Sequence, residues 1–119
     1  MQISIKGQVP SKKNSRRPFI RNGRIMNFPS QKHEDWLQDA LRELHGLPSF
    51  TGKVKIDYYF YVKDNRKRDI DNMIASINDA LVKAKIIKED SWQYLKIVGG
   101  DAAIDRDNPR AEIDINETR

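Results

Sequence analysis

The chain has no cysteine, so disulfide cross-links and thiolate metal sites are excluded, although this does not identify the compartment. It also lacks any apolar run approaching the roughly 20 residues that a membrane-spanning helix needs. The opening Met1-Gln2-Ile3-Ser4-Ile5-Lys6 reads as a strand rather than the apolar stretch of a secretory signal, so a cytoplasmic setting and no membrane partner are expected. Internal repeats, low-complexity tracts and linkers are missing too. With 119 residues, 38% hydrophobic and 33% charged, one soluble globular domain over residues 1–119 is expected.

Negative charge is missing from the first quarter of the chain. Lys6, Lys12, Lys13, Arg16, Arg17, Arg21, Arg24 and Lys32 all precede the first acid, Glu34, and the whole chain carries a formal +5. A block of one sign marks either a solvated loop or a surface that meets a polyanion. Two prolines and several turn formers make Pro10 to Pro18 a loop. Phe19 to Met26 reads as a small hairpin about Asn22-Gly23. With no acid to balance it, the loop is read as an arm that grips phosphates.

Hydrophobic periodicity supplies the rest of the frame. Gln2 to Lys6 alternates as a short strand. Ser30 is placed to cap a helix whose apolar stripe is Trp36, Leu37, Ala40, Leu41 and Leu44, stopped by Gly46 and Pro48. His33 and His45 lie near its ends without ligand spacing and read as surface residues. Val54 to Val62 is the clearest strand, with Tyr59 and Tyr61 on its second face read as cover for a further layer in preference to base-stacking groups. From Ile70, steps of three and four through Met73, Ile74, Ile77 and Leu81 predict a helix ending at Lys83 or Ala84. Tyr94 to Val98 and Ala111 to Ile115 read as strands, with Gly99-Gly100 permitting a bulge and Asp105 to Pro109 a turn. This order predicts an α+β domain, a small mixed β-sheet with two main helices packed on one face.

Between the clearest strand and the second helix stands Arg66-Lys67-Arg68-Asp69-Ile70-Asp71-Asn72. Basic residues beside clustered carboxylates suit an enzyme that grips a polyanion and cuts it with a bound hard metal. In an extended segment Asp69 and Asp71 point to opposite sides, so they converge only if they straddle the helix start. Mg²⁺ takes one or two carboxylates together with waters and phosphate oxygens. Asp90 joins them only if the chain folds back after the helix. The competing reading makes Asp69 or Asp71 a helix cap with no chemistry.

Arg68-Asp69-Ile70-Asp71-Asn72, then Asp79-Ala80-Leu81, then Glu89-Asp90 resembles the signature of the RusA family of Holliday-junction resolvases. Pro10-Ser11-Lys12-Lys13-Asn14 is similar to that family's N-terminal loop, and the resemblance covers nearly the whole chain. It implies an endodeoxyribonuclease that depends on Mg²⁺, with Mn²⁺ as a substitute. It would act as a homodimer, resolving four-way DNA junctions by paired nicks in recombination and repair. Asp69, Asp71 and Asp90 match the family's three catalytic, metal-binding aspartates. Lys12, Lys13, Arg16, Arg17, Arg66, Lys67 and Arg68 are the expected contacts to branched DNA. One departure stands out: Ala75 occupies the position, three residues after Asn72, where the family usually has lysine. The alternatives are a non-catalytic binder of branched DNA on the same fold and a basic interaction domain whose acids only cap helices.

Overall fold

The computed structural model describes residues 1–11, 16–21, 24–29 and 31–118, with no side-chain description for 16–29. Its centre is β4, Val54–Val62, where alternation sends Val54, Ile56, Tyr58, Phe60 and Val62 into the core and leaves Lys55, Asp57 and Tyr59 outside. The element order is β1 (Gln2–Lys6), β2 (Arg16–Arg21), β3 (Arg24–Pro29), α1 (Gln31–Leu44), β4, α2 (Ile70–Lys83), β5 (Leu95–Ile104) and β6 (Arg110–Glu117). This is the expected α+β architecture. Four strands form a mixed sheet in the order β1-β6-β4-β5, in which β4 pairs antiparallel with β6 and parallel with β5. A parallel pair needs a crossover, and α2 supplies it.

β2 and β3 form a separate two-stranded sheet that pairs Arg21 with Arg24, as the hairpin reading requires. Its turn residues Asn22 and Gly23, and the cap assigned to Ser30, lie outside the described residues. α1 buries Trp36, Leu37, Ala40 and Leu44, and the chain leaves it through Gly46 at φ +83°, a conformation that suits glycine. His33 is a correction: it is buried, with its ring 6.3 Å from that of Trp36. The i, i+3 step from His33 to Trp36 puts it on the apolar stripe.

β5 is a second correction. It runs well past the expected Val98 to Ile104. The bulge that Gly99-Gly100 permits is present, and the strand continues through it: Ile56 pairs with Ile97 and Asp57 with Gly99, which makes Val98 the extra residue. Gly100 then lies beneath α2, where an added Cβ would come within 3.0 Å of Ile74. Among the described residues, no helix is long and apolar enough to cross a membrane.

Candidate active site and nucleic-acid interface

The strand-to-helix junction that follows β4 is built by inward bonds from its own residues. The Gln8 side chain accepts the backbone N–H of Lys63 at 2.8 Å, joining the exit of β4 to the N-terminal loop. Arg68 is nearly buried, and its guanidinium meets Asp64 Oδ1 at 2.7 Å and donates to the Asp64 carbonyl at 2.9 Å. Its charge therefore braces the loop that carries Asp69. That bond holds the Asp64 carboxyl below the usual carboxylate range. On the other side, the Ser76 hydroxyl of α2 donates to the Pro10 carbonyl at 2.6 Å, so the N-terminal loop is also tied to the helix.

Asp69 and Asp71 do straddle the helix start. Asp69 is the N-cap, with extended backbone at φ −81° and ψ 120°, and its Oδ1 accepts the Asp71 N–H at 3.0 Å. Asp71 lies in the first helical turn, and both side chains are exposed. Capping thus commits one oxygen of Asp69 to the helix start, while both side chains stay open to solvent. All the donors are carboxylate oxygens, a set that suits a hard divalent cation such as Mg²⁺. Asp79, four residues before Lys83, makes a 3.3 Å ion pair with it along α2.

Asp90 is exposed in the segment that follows α2. The Ser91 carbonyl accepts the N–H groups of Tyr94 and Leu95 there, making a tight turn into β5. Tyr58, wholly buried, donates its hydroxyl to Asn78 Oδ1 in the second half of α2. Burial drives the Tyr58 phenol well above its ordinary range, and the Asp90 charge adds to the rise. Among the described residues, no group of three His, Asp or Glu side chains is placed to hold a metal ion. The structure thus brings Asp69 and Asp71 together and does not gather Asp90 with them in a three-ligand cluster.

Beside the two acids opens a groove of about 340 Å³ lined by Lys32, Lys63, Arg66, Lys67 and Arg68 together with Gln8, Val9, Pro10 and Ser11. Among the described residues no carboxylate lines it. The cations crowd one another, and the Lys32 ammonium in particular pulls Lys63 below the ordinary lysine range. Like charges held this close raise the local positive potential. Arg66 and Lys67 are exposed there as expected. Arg16 and Arg17 open β2, while Lys12 and Lys13 lie outside the described residues. Lys63 and Lys32 were not among the expected contacts. They are 31 positions apart, so only the fold reveals the pair. On the sheet's open face Tyr61 is covered by the Arg110 guanidinium, 3.8 Å from the ring centroid, while Tyr59 is exposed, so the further layer expected over these two tyrosines is not present among the described residues.

A carboxylate pair thus stands at the start of α2, in the same loop-to-helix segment whose Arg66, Lys67 and Arg68 line the basic groove. The family model for endodeoxyribonuclease RusA matches residues 8–116. A protein described as crossover junction endodeoxyribonuclease RusA, from Aquifex aeolicus (strain VF5), is 30% identical over 89 residues, covering 71% of this chain and 68% of that relative. The chain belongs to the RusA family of endodeoxyribonucleases.

Proposed function

We propose that this protein is a Mg²⁺-dependent, structure-selective endodeoxyribonuclease that resolves four-way DNA junctions by paired nicks, acting as a cytoplasmic homodimer in recombination and repair. The observation that carries the reading is the position of Asp69 and Asp71 at the start of α2 beside the Lys63–Arg68 groove. Family membership and the junction-cutting relative point the same way.

In this reading Asp69 and Asp71 hold the cation through the oxygens not engaged in capping, and Asp90 is the third carboxylate of the set. Bound there, Mg²⁺ or Mn²⁺ would supply an activated water and charge stabilisation at the scissile phosphate. The chain's own residues do the positioning. Lys63, Lys32, Arg66 and Lys67 take flanking phosphates, Arg68 keeps the loop rigid, and the cap bond fixes the angle between the two acids. Asp69 and Asp71 belong to the N-terminal turn of α2 and Asp90 follows its C-terminus. The dimer is therefore integral to the reading, since a two-fold arrangement can carry Asp90 of one protomer towards the paired acids of the other.

The test is a nicking assay on a synthetic four-way junction with Mg²⁺, run beside Asp71→Asn. Symmetric nicks that vanish in the variant while junction binding persists are expected. Binding without nicks by the native chain, over a range of Mg²⁺ and Mn²⁺, would sink the enzyme reading. It would leave a branched-DNA-binding protein, a reading that Ala75 in place of the family's lysine favours.

A further inference from the structure

The two edges of the sheet differ. On β1 the outward side chains are Gln2, Ser4 and Lys6, and the Lys6 N–H is taken by the Glu43 carboxylate at 3.1 Å. Such an edge is blunted by polar groups. β5, ten residues long, has no strand on its outer side among the described residues. Among the described residues five large hydrophobic side chains are exposed, and four belong to this strand or its lead-in: Trp92 at 74%, Ile97 at 52%, Val98 at 56% and Ile104 at 50%. A long apolar edge of this kind is an invitation to pair.

The bulge makes that edge complementary to itself. Without it, Lys96 and Asp101 would fall on opposite faces of the sheet. With it, Lys96 stands beside Lys55 and Asp101 beside Tyr59, so both share the face turned away from the helices. Ile97 and Gly100, beside Ile56 and Tyr58, share the helix face. Running a second β5 antiparallel about a two-fold axis at the Val98–Gly99 peptide sets Lys96 opposite Asp101 twice. It also sets Ile97 opposite Gly100 and Val98 opposite Gly99, so each apolar side chain meets a residue with no side chain of its own. Asp101 Oδ1 takes the Ala102 N–H, which leaves Oδ2 for the lysine. Beyond the ladder, Trp92 of one protomer reaches the level of Ile104 of the partner subunit.

We propose that the β5 edge is the homodimer interface, occupied by β5 of a second copy in this antiparallel register. The inference rests on the dimer in the resolvase reading and names the surface that makes it. In this register the Asp90 segment of one protomer passes the C-terminal end of β5 of the partner subunit. Asp105 donates there to the Val62 carbonyl, at the end of β4 from which the chain runs to Asp69.

The test is sedimentation equilibrium of the native protein, Ile97→Lys, Lys96→Glu and the double variant Lys96→Glu/Asp101→Lys, with circular dichroism as a control for folding. All the substituted side chains are exposed, so folding should survive. Ile97→Lys is expected to weaken the dimer on the order of 100-fold. Lys96→Glu should weaken it about tenfold by placing acids opposite each other, and the double variant should recover it. A native dimer that none of these changes moves would overturn the β5 interface and leave the resolvase reading standing, with junction nicking deciding that reading separately. A native monomer at tens of micromolar, even with junction DNA present, would overturn both the interface and the homodimer. If Ile97→Lys weakened DNA binding but not the dimer, the strip would be a nucleic-acid contact and the proposal would fail.

Discussion

The Asp69 carboxylate accepts the backbone N–H of Asp71 at 3.0 Å, so the two neighbouring acids have different structural duties. Asp69→Ala removes the cap of α2 and is expected to cost about 1 kcal/mol of stability. Asp71→Asn changes an exposed first-turn residue and should stay within about 0.5 kcal/mol of the native chain. Both should abolish junction nicking. Thermal denaturation beside the nicking assay checks the split, and an Asp71→Asn chain as destabilised as Asp69→Ala would contradict it.

Lys63 and Lys32 line the same groove, which no carboxylate lines among the described residues. Replacing either with alanine should lower junction affinity evenly across sequences and flatten its salt dependence. Each lost phosphate contact takes close to one unit from the slope of log K against log salt. Fluorescence anisotropy at several salt concentrations measures both effects. An unchanged slope for Lys63→Ala would remove that lysine from the interface.

Acid should loosen the loop that presents Asp69 and Asp71. Arg68 holds the folded-state pKa of Asp64 below its unfolded value, so the bond's contribution is complete above the ordinary carboxylate range. It is lost as pH falls through the lower folded value. Native protein and Asp64→Asn should therefore differ in melting temperature at neutral pH and begin to converge only as pH falls below about 4, through the lowered folded value. A difference that stays constant down to pH 2 would show that the pair contributes nothing.

Tyr58 and Asn78 join β4 to α2 through a bond sealed from water. Tyr58→Phe leaves the Asn78 oxygen without that donor and should destabilise the fold by about 1–3 kcal/mol. Junction affinity should be unchanged once the protein is folded. Urea titration and anisotropy on the same sample separate the two effects.

Legibility in the sequence followed the range of the physical signal. Alternation in Val54–Val62 and the three-four steps from Ile70 are local, and both elements stand where the pattern put them. The straddling of the helix start by Asp69 and Asp71 could be stated as a condition because an N-cap is a short-range device. Other features depended on tertiary contact. The length of β5 turned on a bulge that lets Gly100 slide under Ile74, and nothing in Gly99-Gly100 alone separates a bulge from a stop. His33 reads as a surface residue because its burial depends on what covers the α1 stripe, and the Lys32–Lys63 pair leaves no sequence signal because it closes across 31 positions.

Ala75 lies one helical turn beyond Asp71 on α2, half-buried, where the family pattern has lysine. A lysine four residues after an aspartate on a helix pairs with it for a few tenths of a kcal/mol, and its flexible stem lets the ammonium reach outward from a half-buried site. Ala75→Lys should therefore fold with little loss of stability. It would place a positive charge beside the two acids, where charge builds up as the phosphodiester breaks. Junction nicking should rise by roughly tenfold to a hundredfold in kcat, with binding nearly unchanged, because a charge that acts mainly on the transition state leaves the ground state alone. Single-turnover nicking with saturating protein reads that difference directly. If Ala75→Lys folds and binds yet cuts no faster than the native chain, the cations of the Lys63–Lys67 loop already fill the role, and Lys67→Ala should then be the change that slows cleavage.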